Sequence, residues 1–375
     1  MKRVLGLAPL ILVVLLSGCL FSINQPLVLP DGSLALFLEA DGSYSLFPEG
    51  GGLYLVRDDT WIAVPEAALS VTGSLLGVSV DGAELLYTNV QSDELFEPLR
   101  MTLHCVAAEP EAVPVRLLET DRWIAKAAWT REGEILLLFF GDEAAGTLER
   151  LDRATGELEV LQESVLSFEY HPENGTIDVL GIDRDGDLVA GTVERWDPTT
   201  NQRSELAVFM GTPPTIELYA MLPHALLWDA SADGGWLAIA LYDATMIEPL
   251  PEEEMPDLYL IDAEFEAVER IAVGGVMPAF SPDSKTLAYL TAATGVMDSE
   301  TAVVRTRDLI TGTETTVPGS LGVSTLLWLG PNRLGMVFED DDERARLVEI
   351  DLATNETIER IAAAAETAEE SVDSL

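Results

Sequence analysis

Between residues 279 and 291 the chain reads AFSPDSKTLAYLT: an apolar pair, a polar turn over residues 281–285, then an apolar run over 287–290. Pro282 presets one backbone angle and Asp283 can bond the backbone two residues on, so the pattern predicts two strands joined by a tight turn. The same pattern recurs as VLPDGSLALF on Val28, GVSVDGAELLY on Val78, AAWTREGEILLL on Trp129, FEYHPENGTIDVL on Tyr170, LLWDASADGGWLAIA on Trp228 and LLWLGPNRLGMVF on Trp328. With Phe280, the anchors fall 50, 51, 41, 58, 52 and 48 residues apart. A period near 50 marks a repeat architecture.

A second pattern occupies the back half of several units. RLDRATGELEVL carries Asp152 and Gly156, RWDPTTNQRSEL Asp197 and Asn201, TRDLITGTETTV Asp308 and Gly312, and EIDLATNETIERI Asp351 and Asn355. In each, Asp opens a turn and a Gly or Asn four residues on supplies the positive φ it needs. Unit five keeps Asp262 but has Glu266 at the Gly position. Four strands in about 50 residues, repeated, predict an all-β chain folded as a β-propeller of about seven four-stranded blades, with six or eight as alternatives. A tandem of β-sandwiches would also place strands every 8–12 residues, but not at a near-constant period of about 50.

FSPDSKTLAYLT followed by RDLITGTETTV resembles the TolB-like and WD-repeat-like propellers of bacterial envelopes. The resemblance spans residues of roughly 25 to 361 and is sharpest in unit six. One blade cannot cover its own two faces, so blades stack around an axis and the aromatic anchors fall in the core between them. Trp129, Trp228 and Trp328 are therefore read as packing residues, with ligand stacking as the alternative.

At the N-terminus, Lys2 and Arg3 precede an apolar run over residues 4–16 and then Ser17-Gly18-Cys19. That is a charged segment and an apolar core too short for a spanning helix, which needs about 20 residues. LSGC resembles the bacterial lipobox, which implies recognition through Leu16, Ser17 and Gly18 and a lipid on Cys19. An ordinary secretory leader is the alternative. Leu20 follows, and by the same resemblance a residue other than Asp there implies the outer membrane in a two-membrane bacterium, on its periplasmic side. The organisation expected is a signal peptide over 1–18, a lipidated end and tether over 19–26, the propeller over 27–361 and an acidic tail over 362–375. With Cys19 lipidated, Cys105 has no disulfide partner, and it reads as a small buried residue.

Composition narrows the partners. Formal charge is −44, and loss of Lys2 and Arg3 with the leader makes it −46. Lys126 and Lys285 are then the remaining lysines. Such a surface repels nucleic acid; it reads first as a solvated acidic face, such as a salt adaptation gives, with a basic or metal-ion-bearing partner as the alternative. His104, His171 and His224 each stand alone in sequence, without zinc-site spacing, and no G-x-S-x-G elbow or phosphate loop is present. No catalytic or cofactor-binding residue is assigned, and no cofactor. Asp183, Asp185 and Asp187 in GIDRDGDLVAG offer oxygens for calcium, but against an EF-hand loop Gly181 and Thr192 fall where ligands belong, and a D-G hairpin turn accounts for the same letters. The expectation is a monomeric, lipid-anchored propeller that binds an envelope protein or ligand without catalysis. The alternative is a carboxylate-dependent enzyme, for example on a glycan, with its site in the propeller funnel.

Overall fold

The computed structural model describes residues 27–29, 33–38, 52–57, 60–64, 74–91, 100–109, 112–140, 145–185, 188–211, 228–241, 256–264, 267–292, 301–339 and 345–359. Among them are 27 strands and no helix. Every sheet is an antiparallel meander in chain order, five of four strands and one of seven. The seven-stranded sheet is two four-stranded units that share the strand Leu158–His171. Its first part pairs with Gly146–Leu151 and its second with the start of Thr176–Asp185. A bulge between Val165 and Ser167 and a left-handed Ser164 (φ 58°) mark the changeover. Gly146 sits beside it, where a Cβ would lie 2.4 Å from the Phe139 carbonyl oxygen.

Among the described residues, seven four-stranded units result. The first strands of most successive units lie against one another, which puts them innermost, and the later strands radiate outward. The ring closes by packing. Val28 and Leu34 of unit one share a cluster with Leu327, Leu329, Val337 and Leu347 of unit seven, while each of those two units is built only from its own stretch of chain.

Burial on both faces explains the continuous apolar runs. In Ile135–Phe140, Ile135, Leu137 and Phe139 join Leu86, Met101 and Leu103 of unit two, whereas Leu136 and Leu138 join Phe168 and Val179 of unit four. Alternation survives as a choice of neighbour, not of core against water. Trp129 packs back on unit two and Trp328 back on unit six, as the repeat predicts.

One anchor moves. The turns of units two, five and six close through Ser79 N–H to Glu84 O, Ser231 N–H to Trp236 O and Ser281 N–H to Thr286 O. The equivalents of Phe280 are therefore Val78 and Ala230, and Trp228 lies two residues upstream of the expected position, on the same side of its strand. Trp228 still packs against unit four, through Leu166, Leu180 and Val193. A large residue at either of two same-face positions fills the same seam, so the letters alone misplace it. The 41-residue interval before Tyr170 also has a cause: unit three runs into unit four through the shared strand, with no connecting loop.

The outer hairpins form as predicted. Gly156, Asn201, Gly312 and Asn355 have φ of 74°, 54°, 67° and 59°. Asp152, Asp197, Asp308 and Asp351 each accept backbone N–H groups two and three residues on.

Candidate functional site on the inner strands

Each inner strand turns its anchor residue back toward the preceding unit, and the residue just before the anchor faces the other way. Read from unit one to unit seven by strand register, that position holds Leu27, Gly77, Ala128, Glu169, Asp229, Ala279 and Leu327. Five are apolar or small. The two acids stand on adjacent units, and Lys126 joins them from unit three, two residues before Ala128 and on the same face.

Lys126 Nζ pairs with Glu169 Oε1 across the seam between units three and four, and both side chains are about one-fifth exposed (23% and 22%). The ammonium also lies 5.6 Å from the centroid of the Phe168 ring. Asp229, half-buried, accepts the Phe280 backbone N–H at 2.7 Å from unit six. Burial pushes the Asp229 carboxyl up to about 7 and the negative charge of Glu169 adds to the rise, while the Phe280 N–H and Lys126 oppose it. Asp229 therefore keeps its proton to a higher pH than an ordinary aspartate does. The arrangement can give or take that proton on the inner strands, or meet a cationic or hydroxyl group there.

A second polar group lies at the turn end of unit four. Asp178, fully buried, accepts from Arg195 Nε at 2.7 Å and Arg195 Nη2 at 2.7 Å, and its Oδ2 meets His171 Nε2 at 2.8 Å. Burial alone would raise its carboxyl; the bonds from Arg195 and His171 outweigh that and hold it below the usual range. Gly234 in the first turn of unit five (φ +71°) covers the group, and a Cβ there would meet Arg195 Nη2 at 3.4 Å and the His171 ring at 3.5 Å. With Asp178 and His171 buried and Arg195 largely so, this group serves to join units four and five.

The predicted residues sort as follows. Cys19, His224 and Asp187 lie outside the described residues. Asp183 and Asp185 lie in the strand Thr176–Asp185, opposite Ala190 and Leu188 in the hairpin ladder, and among the described residues no three His, Cys, Asp or Glu side chains gather as a metal site would require. Trp129, Trp228 and Trp328 are buried, and Trp328 Nε1 donates to the Ala279 carbonyl at 2.9 Å, so packing is their role. Cys105 is buried beside Glu84, and burial pushes its thiol up to about 12, which makes it inert. His171 is alone in sequence but not in space. Sequence reasoning missed Lys126, Glu169 and Asp229, because none belongs to a local motif. Alignment of the inner strands by register, with Ala230 in place of Trp228, is the signal that finds them.

No family model matches this chain, and no curated protein does. Solved structures do. Puromycin hydrolase superposes with a TM-score of 0.60 at 16% identity, over 90% of this chain and 53% of that one. A puromycin-hydrolyzing peptidase of Mycobacterium tuberculosis gives 0.55 at 12% identity, over 92% and 55%. The β-propeller domain of the Trilobed protease from Pyrococcus furiosus, described as having an open velcro topology, gives 0.57 at 12% identity, over 90% and 97%. The chain spans about half the length of the two hydrolases. At such identities the likeness is one of architecture, and it agrees with the ring of sheets closed by packing: the fold is that of a β-propeller.

Proposed function

We propose that this protein is an exported propeller, held to the cell envelope by a lipid on Cys19, that binds a protein partner or ligand and turns nothing over. The observation that supports it most is how the repeat uses its residues. The aromatic anchors are spent on seams and the Asp, Gly and Asn residues on turns. Lys126, Glu169 and Asp229 on the inner strands are already engaged, Lys126 with Glu169 and Asp229 with the Phe280 backbone. The LSGC sequence supports export and the anchor. The mature charge of −46 favours a partner with a basic surface, whose association slows as salt is raised.

The specific observation on the side of the enzyme reading is a carboxyl raised to about 7 beside a second one, the pairing from which acid–base chemistry is built. One set of experiments separates the two. Fatty-acid labelling in cells marks the wild type and not Cys19→Ser, and the labelled protein is retained on envelope fractions more at low salt than at high. Hydrolysis of a glycan or peptide panel, lost in Asp229→Asn with the fold intact, overturns the binding reading in favour of catalysis. Equal labelling of wild type and Cys19→Ser ends the anchor.

A further inference from the structure

The seams of the ring are not tied alike. Arg57 Nη2 of unit one donates to the Ala108 carbonyl of unit two at 2.7 Å, and Arg153 of unit three donates to both oxygens of Glu84 in unit two at 2.9 and 3.0 Å. Units three and four share the strand Leu158–His171, and the Arg131 N–H donates to the Tyr170 hydroxyl at 3.0 Å. The Asp178 group under Gly234 joins four to five. Arg307 on Glu269 at 2.9 and 2.8 Å joins six to five, and Trp328 Nε1 on the Ala279 carbonyl joins seven to six. At all six of these seams the chain itself also passes from one unit to the next.

Between seven and one the described tie is the cluster of Leu34 with Leu327, Leu329, Val337 and Leu347, edged by half-buried Val28. It is the smallest buried apolar cluster among the described residues. The inner strand that unit one brings to it, Leu27–Val28, has two residues, against eight for Val323–Gly330 of unit seven. In a ring of seven taken in chain order this seam lies opposite unit four, the unit fused to its neighbour through a shared strand. The best-tied and least-tied parts of the ring thus face each other across the axis.

We propose that the ring opens laterally between units seven and one, with units three to five as its fixed back and each unit keeping its own sheet. Apolar packing scales with the area covered, so the smallest cluster parts at the lowest cost, and no chain crossing has to follow. The ladders on either side survive, because Leu34–Leu38 pairs with Gly52–Arg57 and Val323–Gly330 with Arg333–Glu339, each within one unit. Opening uncovers Leu34 on one side and Leu327 and Leu347 on the other, and gives a route to the inner strands from the flank of the ring. Such a route serves a binding propeller and a catalytic one alike.

The test pairs a thiol probe with amide exchange on the full-length protein. Leu34 and Leu180 are equally buried, each 6% exposed, Leu34 in the seam between seven and one and Leu180 in the seam between four and five. Thiol labelling of Leu34→Cys and Leu180→Cys without denaturant is read at the introduced cysteine by peptide mass spectrometry, each rate taken relative to the denatured chain. Labelling of Leu34→Cys should be faster by about tenfold or more. In that same variant the amides of the strand over residues 34–38 should open about tenfold more slowly than the thiol is labelled, since lateral opening leaves their ladder intact. Where Leu34→Cys does not fold, Leu347→Cys on the unit-seven side reads the same opening against the amides over residues 345–351. Equal labelling at the two seams overturns the proposal. So do strand amides that open as fast as the thiol is labelled, because the unit would then be fraying and not swinging away.

Discussion

Units six and four show two ways of making the same blade. Unit six follows the repeat throughout. Its strands Gly275–Phe280, Thr286–Ala292, Ala302–Asp308 and Glu314–Thr316 are short, and its turns are held by local bonds. Ser281 Oγ donates to Asp283 at 2.8 Å and accepts from the Thr286 N–H at 3.0 Å, while Asp308 caps the outer turn. Unit four keeps the repeat at its outer turn, on Asp197 and Asn201, and departs elsewhere. It borrows its inner strand from the end of unit three, its other three strands each run ten residues, and its turn end is held by buried Asp178 with Arg195 and His171. Local turn chemistry holds the regular blade at solvent-facing ends, whereas the irregular one also depends on polar groups brought together from three strands and covered by the next unit. Stability should be lost in different ways from the two.

The largest difference is expected from the carboxylates. Asp178→Ala leaves buried His171 and partly buried Arg195 without their acceptor and should cost about 3–5 kcal/mol. Asp283→Ala in unit six removes a turn acceptor at the surface and should cost about 1 kcal/mol. Denaturant midpoints of the two variants measure this, and similar losses would erase the distinction between the blades.

Two glycines sharpen the comparison further. Gly234 and Gly156 have nearly the same backbone angle, φ +71° and +74°, so an alanine at either bears the same left-handed strain of about 1 kcal/mol. A Cβ at Gly156 meets nothing within 4 Å, whereas at Gly234 it presses on the cover of the Asp178 group. Gly234→Ala should therefore be the more destabilising, by several tenths of a kcal/mol to about 1 kcal/mol. Equal midpoints for the two variants would show that the cover gives way freely.

The smallest effect belongs to the outer turns. Backbone and side-chain bonds from Thr311 hold the exposed Asp308 carboxyl below its ordinary value of 3.8. The turn is thus stabilised above pH 3.8, and that part is lost as pH falls through the lower folded value. Amide exchange at Thr311, followed from pH 5 to pH 2.5, should show protection lost in the wild type at the acid end and already reduced at pH 5 in Asp308→Ala. An unchanged profile in the variant would mean that the backbone alone holds the turn.

Much of the ring was legible in the letters, because its rules are local. A polar turn between apolar runs is made by neighbours in sequence, and Asp followed by Gly or Asn four residues on is a single turn of backbone. Those two signals predicted the hairpins of unit six, the outer turns at Asp152, Asp197, Asp308 and Asp351, and the spacing near 50. They also predicted packing roles for Trp129 and Trp328, since large apolar groups at a repeated position must be covered by something; Cys105 was read as a small buried residue apart from the repeat, as a cysteine without a disulfide partner.

Three things required the tertiary structure. The position of Trp228 depends on which residue of a two-residue slide opens the turn, and only the pairing of Ala230 with Leu237 decides that. The short interval before Tyr170 depends on one strand serving two sheets, which appears in sequence only as nine missing residues. The charged group on the inner strands depends on register across units: Lys126, Glu169 and Asp229 lie 43 and 60 residues apart and share no motif. Local sequence fixes turns and strands because their bonds close within a few residues. The pairing of Lys126 with Glu169, and the rise that burial and Glu169 give the Asp229 carboxyl, arise only where separate strands meet, and that meeting is a property of the closed ring.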